Sequence, residues 1–230
     1  MHFKTKLSGL VAASALAVIA VIPAAAALSY TLFGDASVVP GGNPGNAAEL
    51  RSTSTAPGYG GVDVAGFPAD PTQITQLSFD YNPDQTGLSN GSPRMTVSFS
   101  DGGSADLRPL ALVADTWATV DGMTGTNWDN NGGTCGYVYA TDWTTVLGCH
   151  AGATIDAIQV INDSGWAYPA TGLVTLVDNI RVNADVITFD AATATDKESC
   201  KKGGWQSLVR EDGSTFKNQG DCVSYTNNGK

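Results

Sequence analysis

Between residues 115 and 150 the chain gathers Trp117, Trp128, Tyr137, Tyr139 and Trp143 among Asp115, Asp121, Asp129, Asn130, Asn131 and Asp142. Flat aromatic rings pack on the apolar C–H faces of sugars, while short carboxylates and amides exchange hydrogen bonds with hydroxyl groups. The mixture predicts a ligand-facing loop for a polysaccharide or glycan, with Trp117, Trp128, Tyr137, Tyr139, Trp143, Asp129 and Asn131 as contacts. The alternative for any single ring is that it caps the core. A second pattern in this stretch, Asn127-x-Asp129-x-Asn131-Gly132, is close to the opening of a calcium loop. It fails at the twelfth position, where Val138 stands in place of a bidentate Glu.

The four cysteines, Cys135, Cys149, Cys200 and Cys222, allow three pairings. Sequence proximity favours Cys135 with Cys149 and Cys200 with Cys222, and each closure is worth roughly 3 kcal/mol on the loop-entropy model. A zinc-thiolate site is disfavoured, since no C-x-x-C spacing occurs and His150, the single histidine beyond His2, adjoins Cys149. Catalytic chemistry is thinly supplied. Glu49, Glu198 and Glu211 are the three glutamates, and there is no G-x-S-x-G, H-E-x-x-H or phosphate loop. Retaining glycosidases place two carboxylates about 5 Å apart, and no acid-x-acid-x-acid strand offers them. The chain is read as a non-enzyme.

Residues 1–27 have the layout of an export signal, with Lys4 and Lys6, an apolar run from Leu7 to Ile22, and Pro23 followed by four alanines. The apolar run is short for a bilayer span and no later segment is longer, so a secreted, extracellular or cell-surface protein without membrane insertion is expected. Without those residues 10 basic side chains face 22 acidic ones, a formal charge of −12. Such a balance repels nucleic acid.

Stretches of five to eight apolar and β-branched residues then recur, each bounded by Gly, Asn, Asp or Pro, which predicts an all-β fold, an antiparallel β-sandwich. The expected strands are 28–33, 47–54, 59–64, 74–81, 94–100, 104–113, 155–162, 172–183 and 186–189. Met95, Val97 and Phe99 alternate with polar residues, as do Leu77, Phe79 and Tyr81. Ile158 to Ile161 and Leu173 to Val177 are more continuously apolar and are placed mid-sheet. Trp166 and Tyr168 are expected in a turn, with Trp166 packed inward. Helices are limited to one or two short ones. Residues 28–190 form the sandwich domain, 191–195 a small-residue linker, and 196–230 an appended tail closed by Cys200 and Cys222, with Trp205 and Phe216 as a miniature core.

Phe33-Gly34-Asp35, Gly45 to Leu50, Tyr59-Gly60-Gly61-Val62 and Leu77 to Tyr81, followed late by Leu176-Val177-Asp178-Asn179-Ile180-Arg181-Val182, run in the order of jelly-roll carbohydrate-binding modules, which residues 28–190 resemble. The resemblance implies a jelly roll, non-catalytic carbohydrate binding, and a structural Ca²⁺ between the first and last strands at Asp35 and Asp178. Asn179 departs from the acidic pair of that closing strand. The tail motif Cys200-Lys201-Lys202-Gly203-Gly204-Trp205 with Phe216 to Ser224 resembles a C-terminal extension of bacterial secreted proteins. The alternative function is a structural or surface-associated protein of the cell envelope with no glycan ligand.

Overall fold

Met95, Val97 and Phe99 are buried while Arg94, Thr96 and Ser98 between them reach the outer surface. The two-residue period of the sequence is thus realised as one dry and one wet face. A computed structural model of the protein describes residues 27–55, 57–164, 167, 172–210 and 214–228. The export signal, apart from Ala27, and the expected turn with Trp166 and Tyr168, apart from Ala167, lie outside the described residues.

In chain order the strands are β1 (Ser29–Gly34), β2 (Ala36–Gly42), β3 (Gly45–Ser52), β4 (Gly60–Ala65), β5 (Leu77–Pro83), β6 (Gly87–Leu88), β7 (Arg94–Phe99), β8 (Ser104–Leu107), β9 (Ala111–Leu112), β10 (Ala118–Asp121), β11 (Trp128–Gly132), β12 (Gly136–Thr141), β13 (Ile155–Asn162), β14 (Leu173–Val182), β15 (Asp185–Ile187), β16 (Ala192–Thr193) and β17 (Leu208–Val209). The helices are α1 (Trp143–Cys149) and α2 (Gln219–Asn228).

Two antiparallel sheets face each other. One is ordered β1-β4-β13-β7-β8-β11-β12, the other β10-β5-β14-β3-β2 with β15 beside β14. The continuously apolar segments 158–161 and 173–177 fall in β13 and β14, each flanked by strands on both sides. Leu50, Leu77, Phe79, Met95, Leu107, Trp128, Ile158, Leu173 and Ile180 fill the space between the sheets, fully buried. Side chains of this size stabilise by about 1.5–3 kcal/mol each when taken out of water. At one end of the sandwich Asn162, on β13, spans the two layers by donating Nδ2 to Leu50 O and Leu173 O, both at 3.0 Å.

The chain crosses from one sheet to the other at Asp35, the single residue between β1 and β2. Its N–H donates to Tyr59 O at 2.8 Å and its carbonyl accepts from Arg51 N at 2.9 Å. Gly34 takes φ +63° there, and a Cβ would stand 2.3 Å from Tyr59 O, so the crossing requires glycine.

Two expectations need correction. Residues 36–42, not read as a strand, form β2 at a sheet edge, where Pro40 and two glycines are tolerated. Residues 115–150, read as a ligand loop, contain β10, β11, β12 and α1. The Trp-Asp-Asn-Asn-Gly of β11 has little strand preference of its own, but its backbone continues the ladder of β8. Helix α1 starts where Asp142 accepts from Thr145 N at 2.7 Å.

Beyond β15 a small second cluster forms from Ala194, Cys200, Leu208, Phe216 and Cys222, with Trp205, Val223 and Tyr225 partly buried against it. Strands β16 and β17 pair in parallel, the Cys200–Cys222 disulfide closes the unit, and Arg210 lies 4.5 Å over the Phe216 ring while pairing with Asp221 at 2.7 Å.

Candidate functional site

Across the outer face of the seven-stranded sheet, Thr31, Asp63, Gln159, Thr96, Asp106 and Asp129 stand in register on six adjoining strands. Two neighbouring pairs are joined by side-chain hydrogen bonds. Gln159 Nε2 donates to Asp63 Oδ1 and Thr96 Oγ1 to Asp106 Oδ1, each at 2.6 Å. Arg94, on the same face, forks onto Asp163 at 2.6 and 2.8 Å and lies 3.3 Å from Asp106. Burial pushes the Asp106 carboxyl above its ordinary value, only partly offset by Arg94. Burial acts upward on Asp163 too, but the hydrogen bonds and charge of Arg94 outweigh it and hold that carboxyl low.

At the edge of this face β12 presents Tyr137 and Tyr139, two residues apart and therefore on the same side. They are 54% and 65% exposed, with ring centroids 4.3 Å apart and planes at 77°. Trp128 pairs with Thr141 but Asn130 with Val138, so Tyr139 and Ala140 together oppose Asp129 in a β-bulge. Ala140 takes φ +51°, a left-handed conformation costly for a residue with a Cβ. Asp129 holds the bulge, since Oδ1 accepts from Ala140 N at 3.1 Å while Oδ2 accepts from Arg108 Nε at 2.6 Å. The Tyr137 hydroxyl, hydrogen-bonded to Tyr139 and near the charges of Asp129 and Asp106, has its pKa pushed up to about 12, so it remains a neutral hydrogen-bonding group.

The tyrosines form one wall of a cleft of about 380 Å³, completed by Leu88, Ser89, Asn90, Gly91, Arg108, Leu110 and Asp129. Its polar groups are underused. Among the described residues Ser89 Oγ is buried without a partner and the terminal nitrogens of Arg108 meet no hydrogen-bond acceptor. The wall at Ser89–Gly91 is fixed from below. Ser164 Oγ donates to Asn90 O at 2.7 Å and Arg94 Nη1 to Gly91 O at 3.1 Å.

Of the residues expected from the sequence, Tyr137, Tyr139 and Asp129 converge on this cleft. Asn131 is exposed on the same face, opposite Tyr137 and beside Ser104. Trp128 and Trp143 are corrected to core positions. Trp128 is wholly buried with Nε1 donating to Gly122 O at 2.7 Å, and Trp143 packs on it at 4.9 Å. Trp117 is half-buried just before β10, at the edge of the opposite sheet, and does not line the cleft. Most of the Asn127 to Gly132 pattern falls on the extended strand β11, where the chain does not curl into a loop and both oxygens of Asp129 are taken by Arg108 and the Ala140 amide.

Asp35 and Asp178 are not brought together. Asp35 is exposed at the crossing between sheets. Val39 pairs with Ala47, and Val177 pairs with Ala48, which sets Asp35 about four residues along the strand from the level of Asp178, on the order of 13 Å. The carboxylate of Asp178 is buried and already accepts Asn43 N and Asn179 N, both at 2.8 Å. Burial raises its pKa, these two N–H groups lower it, and the charges of Asp190 and Asp80 add to the rise. Among the described residues no group of three or more His, Cys, Asp or Glu side chains is arranged to hold a metal.

Both disulfides have the favoured pairing, Cys135–Cys149 and Cys200–Cys222. Sequence reasoning missed Arg108, Asp106 and the Leu88 to Gly91 wall. For the first two the signal was present, since Ser104, Asp106 and Arg108 alternate with the buried Ala105 and Leu107. The wall carries no pattern, because it reaches the cleft through the fold of β6 onto β9.

No family model matches the sequence, and no curated protein does. Solved structures similar to it include the family 11 carbohydrate-binding module of the cellulosomal cellulase Lic26A-Cel5E of Clostridium thermocellum, with a TM-score of 0.41 and 16% identity over 71% of this chain and 88% of that one. A family 11 module from Clostridium thermocellum in complex with a β-1,3-1,4-mixed-linked tetrasaccharide gives 0.39 and 17%, over 69% and 89%. An exo-β-agarase gives 0.36 and 13%, over 76% of this chain and 26% of the enzyme.

Proposed function

We propose that the outer face of the seven-stranded sheet binds a carbohydrate chain without cleaving it, in an exported protein. The observation that carries this reading is the pair of exposed rings, Tyr137 and Tyr139, set beside the Arg108–Asp129 cleft with its free hydrogen-bond donors. The rings supply an apolar platform with polar tips, and Arg108 and the row from Asp63 to Asp129 supply partners for hydroxyl groups. Neither neighbouring carboxyl is set up as nucleophile or acid. Both oxygens of Asp129 accept N–H groups, and Asp106 is occupied by Thr96 and Arg94. The pairing of all four cysteines supports an oxidising compartment.

The test is a glycan array and insoluble-polysaccharide pull-down on the wild type and on Tyr137→Ala, Tyr139→Ala and Trp117→Ala. Selective retention that is lost in both tyrosine variants and kept in Trp117→Ala is the expected result. Absence of binding across neutral, acidic and amino-sugar polymers overturns the reading.

A further inference from the structure

Three turns meet at one buried side chain, His150, which is 1% exposed at the end of α1. Its Nδ1 lies 2.8 Å from Asp101 Oδ2 in the β7–β8 turn, and its ring stacks on Phe99 at 4.0 Å with an interplanar angle of 11°. Its Nε2 lies 2.9 Å from Asn130 Oδ1. The orientation of Asn130 follows from its other contacts, because Nδ2 donates to Gly132 O at 3.1 Å and to Gly136 O at 2.9 Å. Those carbonyls belong to the two residues that pair across the β11–β12 turn. The Gly136 carbonyl is half of the peptide bond that leads into Tyr137.

The packing around this contact leaves no slack. A Cβ at Gly133 would stand 2.2 Å from Cys149 O, and one at Gly103 would stand 2.4 Å from His150 Cε1. Thr134 donates N–H and Oγ1 to Cys149 O at 2.8 and 3.1 Å, and Cys135 is covalently joined to Cys149. The tip of the hairpin is therefore fastened to the end of α1 at two successive residues, Thr134 and Cys135, with Gly133 packed close beside them, and its underside to His150.

We infer that His150 is a positioning residue for the tyrosine face: acting through Asn130, it fixes the Gly136–Tyr137 peptide and with it the direction in which Tyr137 and Tyr139 point. Ring placement is a property of this chain whether or not a sugar binds; the consequence for affinity rests on the carbohydrate reading above. Removing the imidazole nitrogens frees the Asn130 amide to rotate, the two turn carbonyls lose their shared donor, and the hairpin beyond Gly132 moves away from the cleft wall.

The test uses the full chain and two main substitutions, with His150→Gly as a rescue variant. His150→Phe keeps the stack on Phe99 but removes both ring nitrogens, and Asn130→Asp keeps an acceptor toward His150 but removes the donor to Gly132 and Gly136. Amide hydrogen exchange is compared between residues 136–141 and residues 155–162 of β13, alongside Tyr ring NMR shifts and retention on soluble β-glucan, xylan and galactan gels. The expected result in both variants is exchange roughly tenfold or more faster in 136–141 with β13 unchanged, shifted Tyr137 and Tyr139 ring signals, and weakened retention wherever the wild type is retained. Restoration of the ring shifts by added imidazole in His150→Gly adds support. Exchange that stays at the wild-type rate in 136–141, or rises equally in β13, overturns the inference. A wild type that no gel retains, with the hairpin-selective exchange intact, overturns the carbohydrate reading and leaves the positioning role standing.

Discussion

Arg108 Nε donates to Asp129 Oδ2 at 2.6 Å, and the other oxygen of the same carboxylate holds the Ala140 amide of the β12 bulge at 3.1 Å. One ion pair thus fixes the charge balance of the cleft and the backbone that carries Tyr139. Arg108→Lys is expected to fail as a replacement, because an ammonium supplies a point charge without a second set of donors directed into the cleft. Binding isothermals on Arg108→Lys and Arg108→Ala should show comparable losses of affinity.

Tyr137→Ala and Tyr139→Ala remove exposed rings, so each is expected to change unfolding free energy by no more than about 0.5 kcal/mol. Glycan affinity should nevertheless fall about tenfold for each. Titration calorimetry and urea denaturation on the same samples separate the two effects.

Trp128→Ala should behave in the opposite way. The ring is wholly buried and its indole N–H is committed to Gly122 O, so truncation is expected to cost about 3–5 kcal/mol. Trp128→Phe, which keeps most of the volume and loses the hydrogen bond, should cost less. A urea midpoint unaffected by either substitution would move Trp128 out of the core.

Acid should weaken the fold through particular carboxylates. Asp101 is held below the ordinary 3.8 by the Gly103 N–H and then by His150, and Asp163 is held low because Arg94 outweighs its burial. A depressed folded-state pKa gives stability that is complete above about pH 4 and disappears as pH falls through the folded value. Asp106, raised by burial, works with the opposite sign, since its contribution is present in acid and is lost as pH rises through its raised value. Urea midpoints between about pH 2.5 and pH 6 should therefore fall less steeply in Asp163→Asn than in the wild type.

The two disulfides should act on separate parts of the molecule. Replacing Cys200 and Cys222 by Ser removes the closure of a small cluster with little apolar area of its own and should unfold the tail, at a cost of about 3 kcal/mol, while the sandwich keeps its melting temperature. Replacing Cys135 and Cys149 should instead raise proteolysis within 132–141. Limited digestion followed by mass spectrometry reads both outcomes.

What was legible in the sequence follows from where local chemistry decides the structure. Met95, Val97 and Phe99 announce their strand because alternation is a local property, and the inner positions of β13 and β14 show in their unbroken apolar runs. The Tyr137–Tyr139 spacing was equally readable. Trp128 was not, because a tryptophan between Asn127 and Asp129 resembles an exposed ring, and only the register of β11 against β8 turns it inward. Likewise β11 is a strand through its neighbour rather than its composition. The distance between Asp35 and Asp178 was hidden for a related reason: both suit a cation by type, yet the offset between β2 and β14 keeps them apart.

The crossing at Asp35 gives the molecule a mechanical polarity. Strands β1 and β2 are the outermost members of the two sheets on the same side of the sandwich, and each is bonded to a single partner. A steady pull on the N-terminus would peel β1 from β4 and then β2 from β3, one residue pair after another, before the load reached β13 or β14. Strand β12, with its two tyrosines, is the edge of the seven-stranded sheet farthest from β1. A molecule tethered by its N-terminal end would fray at the tether while the opposite rim kept its shape.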